Sequence, residues 1–311
     1  MKKALIIGSK GQDGQLLTAH LTKQNYLVLG VARNKTECSD QTSWEPVDIL
    51  NQSAVTSLIK KFQPDEIYYV AAFHHSSQNK ELVDPSVLWS KSFEVNVSGL
   101  VNVLEAIRTS GTPIKLFYAS SCLVYGDTTT TPQTELTPFS PNDIYGITKM
   151  TGVQICRYYR KQYHIFAAAG ILYNHESALR PERFVSQKII QGALRIKRGE
   201  SDSLQLGNLS AEIDWGYAPN YVEAMHRILQ LETPDDFIIA TGITHTVRDF
   251  VVNTFAKLGL DWTRFVKEDK TIIQRGRGKL QGDPTKLQQL TGWQPTVSFE
   301  QMINYMLDGV S

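Results

Sequence analysis

The stretch "KALIIGSKGQDGQLL", residues 3–17, constrains the fold more than any other part of the chain. A short apolar run ends in a turn with glycines at Gly8, Gly11 and Gly14, and the turn opens directly into a helical pattern. In that strand–turn–helix order, glycines let the backbone approach a pyrophosphate. The helix N-terminus adds N–H donors and positive potential. The reading this predicts is a dinucleotide seat built on Gly8, Gly11, Gln12, Asp13 and Gly14.

The pattern that follows agrees. "YLVLGVA", "DEIYYVAA" and "IKLFYAS" are apolar runs of strand length, separated by the helical stretches "NQSAVTSLIKKF" and "VLWSKSFEVNVSGLVNVLEAIRTSG". Near-continuous apolar strands alternating with helices predict an α/β fold whose parallel sheet is covered on both faces. The second half is less regular. "FVSQKIIQGALRIKRGE" reads as an amphipathic helix, "DFIIATG" as a short strand, and "THTVRDFVVNTFAKLGL" as a helix with a Thr start and a Gly stop.

Composition limits the partners. The chain has 311 residues, 41% hydrophobic and 20% charged, which is ordinary for a globular protein. A formal charge of +1 without a dense Lys/Arg run argues against nucleic acid or an acidic membrane surface. Cys38, Cys122 and Cys156 have no metal-site spacing and read as small buried hydrophobes in a reducing compartment, so no metal is expected. The apolar run of "MKKALIIG" is too short for a signal core or a membrane span, which predicts a cytoplasmic protein.

Two positions bear on the dinucleotide. The second strand ends at "VARN", where an acid would bind a ribose 2′-hydroxyl and an arginine accommodates a 2′-phosphate; Arg33 favours NADP(H) over NAD(H). Asp48 in "PVDIL" stands where a carboxylate could meet the adenine amine, or it caps the helix that follows.

The chemistry-bearing set is Ser121, Tyr145 and Lys149. Ser121 closes a strand, and Tyr145 and Lys149 are four apart on one helix face. An ammonium beside a phenol favours the phenolate, so the expectation is a tyrosine with a lowered pKa that exchanges a proton while a nicotinamide exchanges the hydride.

At these residues the chain resembles the extended short-chain dehydrogenase/reductases, and more narrowly the GDP-mannose 4,6-dehydratase family. The likeness runs through "GQDGQLL", "DEIYYVAA", "TPFSPNDIYGITK", "GILYNHES", "LGN", "DWGYAPNYV", "DFIIATG", "TVRDFV" and "GDPTK". It implies a Rossmann-like doubly wound sheet with a smaller C-terminal α/β domain. The NAD(P)-binding part would be 1–170 and the nucleotide-sugar part 171–311, with 236–242 returning to the first. It also implies that Ile49, Ala71, Ala72, Leu172, Asn174 and His175 join the cofactor site. A GDP-sugar would meet His74, His75, Ser121, Cys122, Asn174, Glu176, Arg180, Lys188, Arg275 and Arg277.

The chain also departs from the family. Where the family reads Thr-Ser-Glu, this chain has Ser121, Cys122 and Leu123. The family's Glu removes the sugar's C5 proton; leucine carries no titratable group, so elimination would need a base from His74, His75 or Glu176. Ile213 replaces an arginine before "DWG", and the loop between Arg33 and Asp48 is shorter than in the tetrameric relatives, so a homodimer is expected rather than a tetramer. The expected activity is hydride transfer at C4 of a GDP-linked hexose or heptose. A C4 epimerase, a dehydratase with a relocated base and a non-catalytic binding protein are the alternatives.

Overall fold

The computed structural model describes residues 1–32, 42–74, 84–269 and 279–310. The first half runs β1 (Lys3–Ile7), α1 (Gln12–Lys23), β2 (Leu27–Ala32), β3 (Thr42–Pro46), α2 (Gln52–Phe62), β4 (Glu66–Tyr69), α3 (Pro85–Phe93), α4 (Gly99–Ser110), β5 (Lys115–Ser121), α5 (Ile144–Tyr163) and β6 (Ala167–Leu172). The second runs β7 (Asn174–Glu176), α6 (Val185–Lys197), β8 (Leu204–Leu206), β9 (Glu212–Tyr217), α7 (Ala218–Gln230), β10 (Asp236–Ile239), β11 (Thr244–Thr246), α8 (Val247–Lys257), β12 (Val266–Glu268), α9 (Thr285–Thr291) and α10 (Phe299–Asp308).

Seven strands form one sheet in the order β3-β2-β1-β4-β5-β6-β10, and every neighbouring pair is parallel. Strands β4 and β6 are buried along their whole length, as continuous apolar runs require when helices cover both faces. Leu5, Ile7, Leu29 and Tyr69 face a core closed by Val55 and Ile59 of α2 and Val103 and Leu104 of α4. Ala4, Ile6, Val28 and Tyr68 face the opposite core, closed by Leu17 of α1, Met225 of α7 and Leu287 of α9. The strand order reverses between β1 and β4, which places a crevice at their carboxyl ends, where doubly wound sheets bind ligands.

A third core joins α6, α8 and α10 around Trp215 of β9. Here β7, β9 and β11 form a three-stranded sheet, and β8 pairs with β12. The carboxylate of Asp214 ties this lobe together, accepting from the amides of Thr241, Gly242 and Gly282 and from Thr241 Oγ1.

Three sequence expectations change. Strand β3 was not legible, because "TSWEP" is a half-exposed edge strand that has few apolar residues to reveal it and ends in proline. The single long helix of 87–111 is two helices joined by a π-helical turn at Glu94–Ser98. A division at residue 170 with one return at 236–242 is too simple, since α7 and α9 also cover the large sheet. A parallel sheet must be covered on both faces, and the C-terminal half supplies part of that cover.

Candidate active site

The turn after β1 is shaped by contacts that admit only glycine. Gly8 has φ +95°, and a Cβ there would lie 2.5 Å from the Ala71 amide nitrogen at the end of β4. A Cβ on Gly14 would collide with the Gly8 carbonyl and with Ser9. The turn therefore packs backbone to backbone against the chain that leaves β4. Helix α1 starts at Gly11 without a side-chain cap, leaving its first N–H groups directed at whatever anion enters. This cradle fits a dinucleotide pyrophosphate.

Ser121 ends β5, and Tyr145 and Lys149 lie in the first turns of α5, which packs against that strand. Lys149 is 1% exposed, and its Nζ donates to the Ala119 carbonyl at 2.7 Å and stands 5.6 Å from the centre of the Tyr145 ring. Burial depresses Lys149 to about 7, with Asp13 acting in the opposite direction. The lowered tyrosine expected from the sequence is corrected here. Burial pushes Tyr145 well above its ordinary value, and the cation that pulls it back is Arg180. A desolvated phenol holds its proton, and Lys149 is itself too desolvated to be a strong counter-charge.

Sequence reading missed Asn96, which sits fully buried in the π-helical turn. Its side chain accepts from the Phe73 amide, and its Nδ2 lies within hydrogen-bond reach of the Phe73 carbonyl and of Thr148 Oγ1, beside Lys149. One widened helical turn thus pins the 71–74 segment to α5. The available signal was an asparagine inside an otherwise apolar helical run, and π-turns cluster at functional sites.

The segment 174–186 closes the other side. Glu176 is 1% exposed, accepts from Ser186 Oγ at 2.6 Å and pairs with Arg180 Nε at 3.1 Å. The Arg180 guanidinium lies 4.0 Å above the Phe184 ring, Phe184 stacks on His74 at 5.6 Å, and His74 meets Tyr145 edge-on at 4.7 Å. This chain of rings forms a wall beside Tyr145. Asp13 pairs with His175 Nε2 at 3.0 Å. Burial opposes ionisation of Asp13, yet the charge and hydrogen bond of His175 outweigh it and hold the carboxyl at about 2.

The sequence pattern of the GDP-mannose 4,6 dehydratase family matches residues 5–306. The chain is 37% identical to GDP-mannose 4,6 dehydratase 2 of Arabidopsis thaliana, across 99% of this chain and 86% of that one. The chain belongs to the GDP-mannose 4,6-dehydratase family. Among solved structures, dTDP-glucose 4,6-dehydratase of Bacillus anthracis in complex with NAD aligns with TM-score 0.84 and 19% identity, over 99% of this chain and 96% of that one. RMD of Pseudomonas aeruginosa complexed with NADPH aligns with TM-score 0.81 and 18% identity, over 99% and 98%. The first pair fixes a family of nucleotide-sugar enzymes, and the two structures share the fold.

Within that family frame, the structure gathers Gly8, Gly11, Gln12, Asp13, Gly14, Ala71, Ala72, Ser121, Tyr145, Lys149, Asn174 and His175 around the carboxyl ends of β1, β4, β5 and β6. Leu172 closes β6 and is buried. Asp48 accepts from the Leu50 amide, while Asn51 caps α2, and Ile49 packs against Gly99. Lys188 lies on α6 one turn beyond Phe184. Cys122, expected to touch substrate, is 3% exposed in an apolar cluster with Val124, Tyr125, Ile171 and Tyr173; its position directly after β5 turns it into the core. Leu123 packs against the same cluster. Arg33, His75, Arg275 and Arg277 lie outside the described residues. Among the described residues, no helix is long and apolar enough to cross a membrane.

Proposed function

We propose that the protein moves a hydride at C4 of a GDP-linked hexose or heptose, as a 4-keto reductase or C4 dehydrogenase, and removes no water from the sugar. The observation that carries this reading is Leu123, which packs into apolar surroundings where elimination would need a base, on a frame where Lys149 lies by the Tyr145 ring and bonds the strand that ends at Ser121.

A nicotinamide dinucleotide on the Gly8–Gly14 turn would supply or accept the hydride. Arg33 favours NADP(H), since a guanidinium suits a 2′-phosphate. In the reducing direction Tyr145 donates its proton to the C4 oxygen as that oxygen gains electron density, and Ser121 holds the oxygen by a hydrogen bond. Burial keeps Tyr145 protonated, so the proton is present for this transfer. Lys149, 5.6 Å from the centre of the Tyr145 ring, holds the helix of the phenol against β5 through the Ala119 carbonyl. Arg180 and Lys188, which share the 174–188 stretch with Arg183, would meet the diphosphate.

The test is mass spectrometry of the sugar nucleotide after incubation of the purified protein with GDP-mannose and NADP+, and with a GDP-linked 4-keto sugar and NADPH. Gain or loss of two hydrogens is the expected result. Loss of one water would overturn the reading.

One observation favours a second reading. The His74 ring meets Tyr145 edge-on at 4.7 Å, so a relocated base for elimination has a candidate inside the site. Glu176 is the weaker candidate, because Arg180 and Ser186 already engage its carboxylate. If water loss were found, H74F should abolish it while sparing the redox half-reaction.

A further inference from the structure

His175 sits between two oxygen atoms that cannot donate. Its Nδ1 lies 2.7 Å from the Tyr173 carbonyl oxygen, and its Nε2 lies 3.0 Å from Asp13 Oδ1. A neutral imidazole carries a single N–H. One of these short contacts would then set a nitrogen lone pair against an oxygen lone pair. Only a ring bearing both protons satisfies both partners, with Asp13 as the anion. The ring is 8% exposed and stacks on Tyr221 at 4.8 Å, so water does not stand in for either partner.

The same contact joins two parts of the site that are remote in sequence. Gln12 Nε2 donates to Asp13 Oδ1 and to the His175 carbonyl, and Ser177 Oγ donates to Gln12 Oε1. The first turn of α1, where the pyrophosphate seat lies, is thereby fastened to β7.

We propose that His175 is a positioning residue held as an imidazolium, whose second proton locks the α1 N-terminus to β7, so that dinucleotide affinity weakens as pH rises and that proton leaves. The inference rests on the reading of the Gly8–Gly14 turn as a dinucleotide seat. The groups facing His175 are Asp13 from the α1 turn, Arg180 from the segment after β7, and the rings and carbonyl of Tyr221 and Tyr173. Burial and Arg180 work against the charged ring, while Asp13 outweighs them and raises it above its ordinary value. Loss of the proton ends the ion pair with Asp13 and leaves one of the two ring contacts, to Asp13 or to the Tyr173 carbonyl, with lone pair against lone pair. It also leaves the Asp13 charge answered by Arg180 and Lys149 without a cation in hydrogen-bond contact, at a carboxylate that Tyr145 also feels.

The experiment is a titration of the full chain with NADPH, and separately NADH, from about pH 6 to about pH 9.5, for wild type, H175Q and D13N. At the acid end, H175Q should bind about tenfold more weakly than wild type, the size of one charge-assisted hydrogen bond. The wild-type advantage should shrink as pH rises. Lys149 also loses charge in this range, so the deciding quantity is the difference between the wild-type and H175Q profiles. Parallel profiles would overturn the proposal. Nitrogen-15 NMR of the imidazole in the free protein gives a second reading: both ring nitrogens should show protonated shifts near neutrality in wild type and lose that signature in D13N. A single protonated nitrogen in wild type would overturn it as well. Absence of NADPH and NADH binding at every pH would instead sink the dinucleotide reading, and the NMR result would stand apart from it.

Discussion

Lys149 Nζ donates to the Ala119 carbonyl, two residues before Ser121 on the same strand. The bond fastens α5 to the strand that carries Ser121, and it holds a lysine where almost no water reaches. An unfolded lysine keeps its proton up to 10.5, whereas the folded one keeps it only to about 7. Between those values the unfolded chain binds more protons, so this group makes the ligand-free protein gain stability as pH rises through the window. Thermal melts of wild type and K149M across it should show the wild type gaining relative to the variant. Turnover by K149M should fall by at least about a hundredfold. Equal pH dependence of the two melts would mean that Lys149 is more solvated than its burial indicates.

Tyr145 separates enzyme from binding protein. Y145F should lower kcat by about a hundredfold to a thousandfold while leaving NADPH affinity within about threefold, because the proton donor is lost and the aromatic packing is kept. The ring of His74 still has an aromatic edge to meet in that variant. Unchanged turnover would assign the proton transfer to another group.

Leu123 carries the distinction between redox chemistry and elimination. L123E places a carboxyl against the apolar cluster of Val124, Tyr125 and Tyr173. It should cost about 1–3 kcal/mol of stability, read from denaturant unfolding. Burial should also raise the carboxyl's pKa, as a base near neutrality requires. A sugar nucleotide lighter by one water should appear with L123E and not with wild type. Water loss by the wild type would show that the elimination base lies elsewhere.

Gly14 tests the seat itself. In G14A the new methyl group meets the Gly8 carbonyl and Ser9, so the turn must move off the β1/β4 crevice. Overpacking of this kind costs about 1–3 kcal/mol, and NADPH affinity should fall by more than about tenfold. Full affinity in G14A would place the dinucleotide away from this turn.

Some of the protein was determined by the sequence alone, because the signals are local. Apolar runs of strand length alternating with helices forced a parallel sheet, and three glycines between β1 and α1 marked its ligand end. Tyr145 and Lys149 share a helix face by their spacing, and the resemblance to the family marked Leu123 as standing where a carboxylate is expected. The tertiary structure decided what depends on burial and on contacts across long sequence separations. Asp13 and His175 are 162 residues apart, and only packing makes them an ion pair. Asn96 reaches Thr148 through a helical turn whose widening no periodicity revealed. Strand β3 is recognisable by its pairing with β2 and not by its composition. The charge states of Tyr145 and Lys149 ran against the expectation from spacing, because desolvation acts on both groups and is set by everything packed around them.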